Sequence, residues 1–110
     1  MGASKTDHFT EYQNKIAILA KAIGHPARVA IIEYLLKVDT CICGDIVNEL
    51  PLAQPTVSQH LKELKNAGII KGSIEGTAIC YCINENVLVE LQNFFGAIVE
   101  DIQDKKRSCC

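Results

Sequence analysis

Apolar residues first recur at helical spacing between positions 10 and 23, where Tyr12, Ile16, Leu19, Ala20 and Ile23 share one stripe. Gly24, His25 and Pro26 interrupt it, and Pro26 suits the first turn of a new helix because the N–H it lacks would have no partner there. That second helix is expected to run to about Lys37, with Val29, Ile32, Leu35 and Leu36 inward. Val38, Asp39 and Thr40 read as a connection, and a short helix is expected from Gly44 or Asp45 to Leu50. Pro51, Leu52 and Ala53 read as a tight turn, after which Gln54 is expected to cap a helix that takes Pro55 first and runs to Ala67. Gly68 is its expected left-handed stop.

The period then changes. Residues 69–74 and 78–83 read as two strands, with Glu75, Gly76 and Thr77 at the tip of a hairpin. Asn84 or Asn86 opens a long last helix with the stripe Leu88, Leu91, Phe95, Ile98 and Ile102. The predicted fold is mainly α with a β-hairpin wing (α+β): helices 1–4, a two-stranded wing and a long C-terminal helix. Two short helices joined by a three-residue turn and followed by a hairpin form the winged helix-turn-helix plan. With 110 residues, one domain over 1–110 is expected, and its core suffices without metal or disulfide staples.

The helix after the turn is the informative one. At 100° per residue, Val57, Leu61 and Leu64 lie within about 60° of one another and form a face for burial. Gln59, Lys62 and Asn66 lie opposite, flanked by Thr56, Ser58 and Glu63. Hydroxyls, amides and a lysine are the groups that contact phosphates and base edges in a major groove. His60 falls cleanly on neither face and is read as a core-edge residue before a phosphate contact.

Charge qualifies this picture. Eleven Lys and Arg against thirteen Asp and Glu give a net charge of −2, so no global basic field draws nucleic acid. The segment 54–71 nevertheless carries three lysines and one glutamate. From the residues alone, a DNA-binding and a protein-binding winged helix both stay open. No apolar stretch approaches the roughly 20 residues that span a bilayer, and the N-terminus has no apolar signal core, so a cytoplasmic chain with no membrane partner is expected. No nucleophile, base or phosphate-cradling loop falls into a catalytic pattern, so an enzyme is not expected.

Six cysteines fall in three close pairs, Cys41/Cys43, Cys80/Cys82 and Cys109/Cys110. A secreted disulfide scaffold spaces its cysteines more widely, whereas close pairs suit chelation of one soft ion. On an ideal helix, positions i and i+2 point about 160° apart, so Cys41 and Cys43 chelate only from a loop or a frayed first turn. Cys80 and Cys82 share one face of a strand and can also chelate. Flanked by Ile79, Tyr81 and Ile83, they are read first as packing and ranked behind the other two pairs.

The segments 22–28 (Ala-Ile-Gly-His-Pro-Ala-Arg), 54–64 (Gln-Pro-Thr-Val-Ser-Gln-His-Leu-Lys-Glu-Leu) and 67–70 (Ala-Gly-Ile-Ile), with Glu75-Gly76 in the hairpin, resemble the ArsR/SmtB (arsenic-repressor) family of metal-responsive bacterial regulators. The likeness extends from about Tyr12 to Phe95. It implies a family core over about 10–95, a dimerisation helix over 84–106 and a cysteine-bearing tail at 107–110. It further implies a homodimeric repressor that binds double-stranded operator DNA and is released by an inducing ion. The DNA contacts it implies are Gln54, Thr56, Ser58, Gln59, Lys62, Asn66, Lys71 and Gly76.

Cys41-Ile42-Cys43 resembles the Cys-x-Cys of arsenic-sensing members, displaced by one position if Asp45 aligns with the family's acidic residue, and with Ile46 where a third cysteine often stands. His8, His25 and His60 all lie off the last helix, which argues against a zinc, nickel or cobalt site there. Trivalent arsenic or antimony is therefore the expected effector, held by Cys41 and Cys43 with a third sulfur from Cys109 or Cys110. No cofactor is expected for folding. A thiol redox or persulfide sensor of the same family, switching through a disulfide, is the alternative.

Overall fold

The computed structural model describes residues 8–37, 42–43, 50–75 and 78–105. Helix α1, Glu11–Ile23, starts on a reciprocal cap. The Thr10 hydroxyl accepts from the Gln13 backbone N–H, and the Gln13 side chain accepts from the Thr10 N–H, both at 3.0 Å. After Gly24, helix α2 occupies Pro26–Lys37. Its first turn is held by His25, whose Nδ1 accepts from the Ala27 N–H at 3.0 Å. A two-residue strand β1, Ile42–Cys43, follows. The expected connection at 38–40 and the expected helix from 44 lie outside the described residues.

Helix α3 covers Gln54–Asn66. Gln54 is its first residue rather than its cap: Ala53 holds the extended cap position, and its carbonyl accepts from Thr56 and Val57. Gly68 is left-handed at φ 83°, as the sequence anticipates. Strands β2 (Ile70–Glu75) and β3 (Ala78–Ile83) then form the hairpin, and helix α4 runs over Glu85–Lys105. The base of the hairpin is stitched closed by Asn84, which donates from its backbone to the Ile69 carbonyl at 2.8 Å and from Nδ2 to the Gly68 carbonyl at 3.0 Å.

The wing is larger than a hairpin. Strand β1 adds to it antiparallel, giving a three-stranded sheet in the order β1-β3-β2. Ile42 pairs with Tyr81 and Cys43 with Cys80 on one side, and Ile70 with Ile83 through Glu75 with Ala78 on the other.

One core joins these elements. Ile16, Leu19 and Ala22 of α1 meet Ile31 and Leu35 of α2, Val57, Leu61 and Leu64 of α3, and Ile69, Ile70 and Leu91. Beyond Phe94, which still packs against it, α4 leaves this core: Phe95, Ile98, Val99 and Ile102 are exposed. The radius of gyration, 16.9 Å, exceeds the roughly 13 Å of a compact chain of this length, as a projecting helix requires. Among the described residues no helix is long and apolar enough to cross a membrane.

Candidate nucleic-acid interface and thiol positions

Burial divides α3 as its periodicity predicts. Val57 and Leu64 have no exposed surface and Leu61 very little, while Thr56, Ser58, Gln59, Lys62 and Asn66 are exposed. These five expected contacts therefore lie outward on one rigid element. Gln59 is partly engaged within the helix, donating from Nε2 to the half-buried Glu63 carboxylate at 3.0 Å. Its amide oxygen lies outside that bond, so an adenine-type bidentate contact would require Gln59 to leave Glu63. Gln54 opens the helix. Lys71 is exposed near the start of β2, and Gly76 lies outside the described residues.

His60 sits at the edge of the core, 9% exposed. Its Nδ1 accepts from Arg28 Nε at 3.1 Å, and its ring lies 4.3 Å from that of His25, centroid to centroid. Arg28 also donates from Nη1 to the Ala22 carbonyl at 3.1 Å, so one guanidinium joins the end of α1 and the start of α2 to α3. Burial, and then the neighbouring charges of His25 and Arg28, hold the His60 pKa below its ordinary value of 6.5, against a smaller opposing effect of Glu63. The sequence reading placed His60 at the core edge but missed Arg28. An arginine in the turn directly after a Gly-His-Pro break was the available signal.

The cysteines are distributed unexpectedly. Cys43 lies in a strand, neither a loop nor a helix start, and its register partner is Cys80. The two pairs that the sequence treated separately thus meet across β1 and β3. Cys82, half-buried, is held in a disulfide. Cys41, Cys109 and Cys110 lie outside the described residues.

Residues 25–71 match the family model described as "Bacterial regulatory protein, arsR family". The chain is 40% identical over 82 residues to an uncharacterised HTH-type transcriptional regulator of Methanocaldococcus jannaschii, covering 74% of this chain and 91% of that one. It is 36% identical over 74 residues to the transcriptional repressor SdpR of Bacillus subtilis, covering 67% and 81% respectively. A crystallised ArsR family transcriptional regulator, RHA00566, superposes with a TM-score of 0.75 at 16% identity, over 91% of this chain and all of that one.

Proposed function

This chain belongs to the arsR family of bacterial regulatory proteins, a family of regulators and not of enzymes, and from that premise we propose that it is a cytoplasmic homodimeric repressor released from operator DNA by trivalent arsenic or antimony. The division of α3 carries the DNA-binding half of this reading. Its apolar residues are buried, and an exposed row of hydroxyls, amides and Lys62 faces outward, as contact with phosphates and base edges requires. The SdpR relationship supports repression as the mode of control. The exposed apolar run of α4, which no other part of the described protomer covers, supports the homodimer, with 84–106 as its helix and 1–110 as one winged domain.

Sulfur chemistry carries the effector half. Thiols select soft ions over oxygen-seeking ones, and the register of Cys43 with Cys80 places cysteines of two elements at paired positions of the sheet. The test is binding to DNA from the protein's own upstream region across a salt series, with and without arsenite. The expected result is a steep fall in affinity with salt and release on adding arsenite. Binding with no salt dependence overturns the operator reading, and retention of DNA at saturating arsenite overturns the effector.

One observation favours the second reading, a redox-switched repressor of the same family: the disulfide on Cys82. Mass spectrometry of the released protein separates the two, as a metalloid adduct or as a loss of two hydrogens per disulfide.

A further inference from the structure

Among the 13 residues of α3 only Glu63 is acidic. A carboxylate on a face that meets phosphates lowers affinity rather than raising it, so whatever it contributes there lies elsewhere. At 100° per residue, Glu63 stands about 40° around the helix from Gln59 and one turn further on, the spacing at which two side chains meet. They do meet: Gln59 donates from Nε2 to Glu63 Oε2 at 3.0 Å.

Of the two, Glu63 is the more firmly seated. It is half-buried, whereas Gln59 is exposed. It borders the cleft between α1 and α3 together with the cationic side chains of Lys21 and Arg28, and its charge acts on His60. An ionised carboxylate accepts hydrogen bonds and donates none. Gln59 therefore meets it only through Nε2, because the opposite turn of the amide would set Oε1 against a negative oxygen. The amide is held in one sense, with Oε1 directed away from Glu63.

That sense matters in a major groove. Adenine N6 and cytosine N4 offer donors there, whereas guanine O6 and N7 and thymine O4 only accept. Every base pair carries one amino base and one keto base, on opposite strands. An acceptor held in a fixed orientation therefore reads which strand bears the amino group. An unrestrained glutamine turns either end of its amide to the groove and tolerates both.

We propose that Glu63 is a positioning residue for base readout, which by holding Gln59 Nε2 makes Gln59 select an amino base, adenine or cytosine, over a keto base at one position of each half-site. The proposal rests on the DNA-binding reading above and names what sets one of its base preferences. Gln59 touches the base, and Glu63 acts only through Gln59.

Selection by the full chain from a duplex library with a randomised core tests this. The wild type should enrich sites in which one position of each half-site is restricted to adenine or cytosine on one strand. Gln59→Ala should lose that restriction. Glu63→Gln keeps the size of the side chain but either accepts from Gln59 or donates to it, so guanine and thymine should rise at that position by at least about fivefold. The double variant should match Gln59→Ala alone, as two residues acting through one contact require. Loss of the carboxylate charge should raise affinity for all sequences alike, which leaves the ratio of bases at that position untouched, and circular dichroism checks the fold of each variant. A wild type without such a position, or a restriction that survives Glu63→Gln, overturns the proposal while leaving DNA binding in place. So does a restriction that survives Gln59→Ala and vanishes in Glu63→Gln, which would make Glu63 itself the reader. No enriched sequence with the folded wild type overturns the DNA-binding reading and this one together.

Discussion

Arg28 donates to Nδ1 of His60 at 3.1 Å, so α2 and α3 are joined by a bond that exists only while His60 is neutral. Because the folded pKa of His60 lies below 6.5, the unfolded chain binds more protons in the window beneath that value. The stability contributed is fully present above about pH 6.5 and is lost as pH falls through the folded pKa. Urea midpoints between pH 7.5 and 5 should fall with acid in the wild type and fall less steeply in His60→Asn. Parallel profiles would remove His60 as the cause.

At Arg28 the shape of the guanidinium should matter more than its charge. Arg28→Ala deletes the bonds to His60 and to the Ala22 carbonyl, and a loss of about 1–3 kcal/mol is expected by denaturant unfolding. Arg28→Lys should recover little of it, because an ammonium lacks the planar fork that reaches both acceptors.

On DNA, Lys62→Ala should weaken binding equally on all sequences and lower the salt slope by about one. Gln59→Ala should cost about 1–3 kcal/mol on the operator and little on unrelated DNA. Competition binding at several salt concentrations reads both. Unchanged affinities in two folded variants would show that α3 does not enter the groove.

Phe95, Ile98, Val99 and Ile102 are 43–54% exposed in the protomer, and they are the row the proposed homodimer would cover. Ile98→Asp should retain the fold, since Ile98 lies outside the core, and sediment as a monomer. A wild type that sediments as a monomer at micromolar concentration would contradict the dimer.

At Gly68 the backbone alone decides. An added Cβ would meet Val87 Cγ2 at 3.7 Å, an ordinary contact, but φ is 83°. Gly68→Ala should therefore destabilise by about 1–2 kcal/mol through strain, read as a lower melting temperature.

Periodicity and helix-breaking residues revealed the four described helices and the hairpin because each is a local feature: Pro26, Pro55 and Gly68 mark helix ends within a turn. Strand β1 has no such mark. Two residues carry no period, and they are extended because β3 offers them a partner almost forty positions later. Judging Cys41 and Cys43 against helix geometry therefore missed the pairing of Cys43 with Cys80. The Arg28–His60 bond spans 32 positions and was hidden for the same reason. Gln54 was misplaced by one residue because Ala53 caps with its backbone and no side chain.

The two hydrogen bonds by which Asn84 clasps Gly68 and Ile69 make the wing an insert with a sewn neck. Whatever lies beyond the neck is anchored where it leaves the helices. Loop-closure cost grows only with the logarithm of length, so residues added or removed between β2 and β3 should leave the helical scaffold almost untouched. Regulators built on this plan could thus vary how far the wing reaches along a duplex without renegotiating the packing that holds the recognition helix.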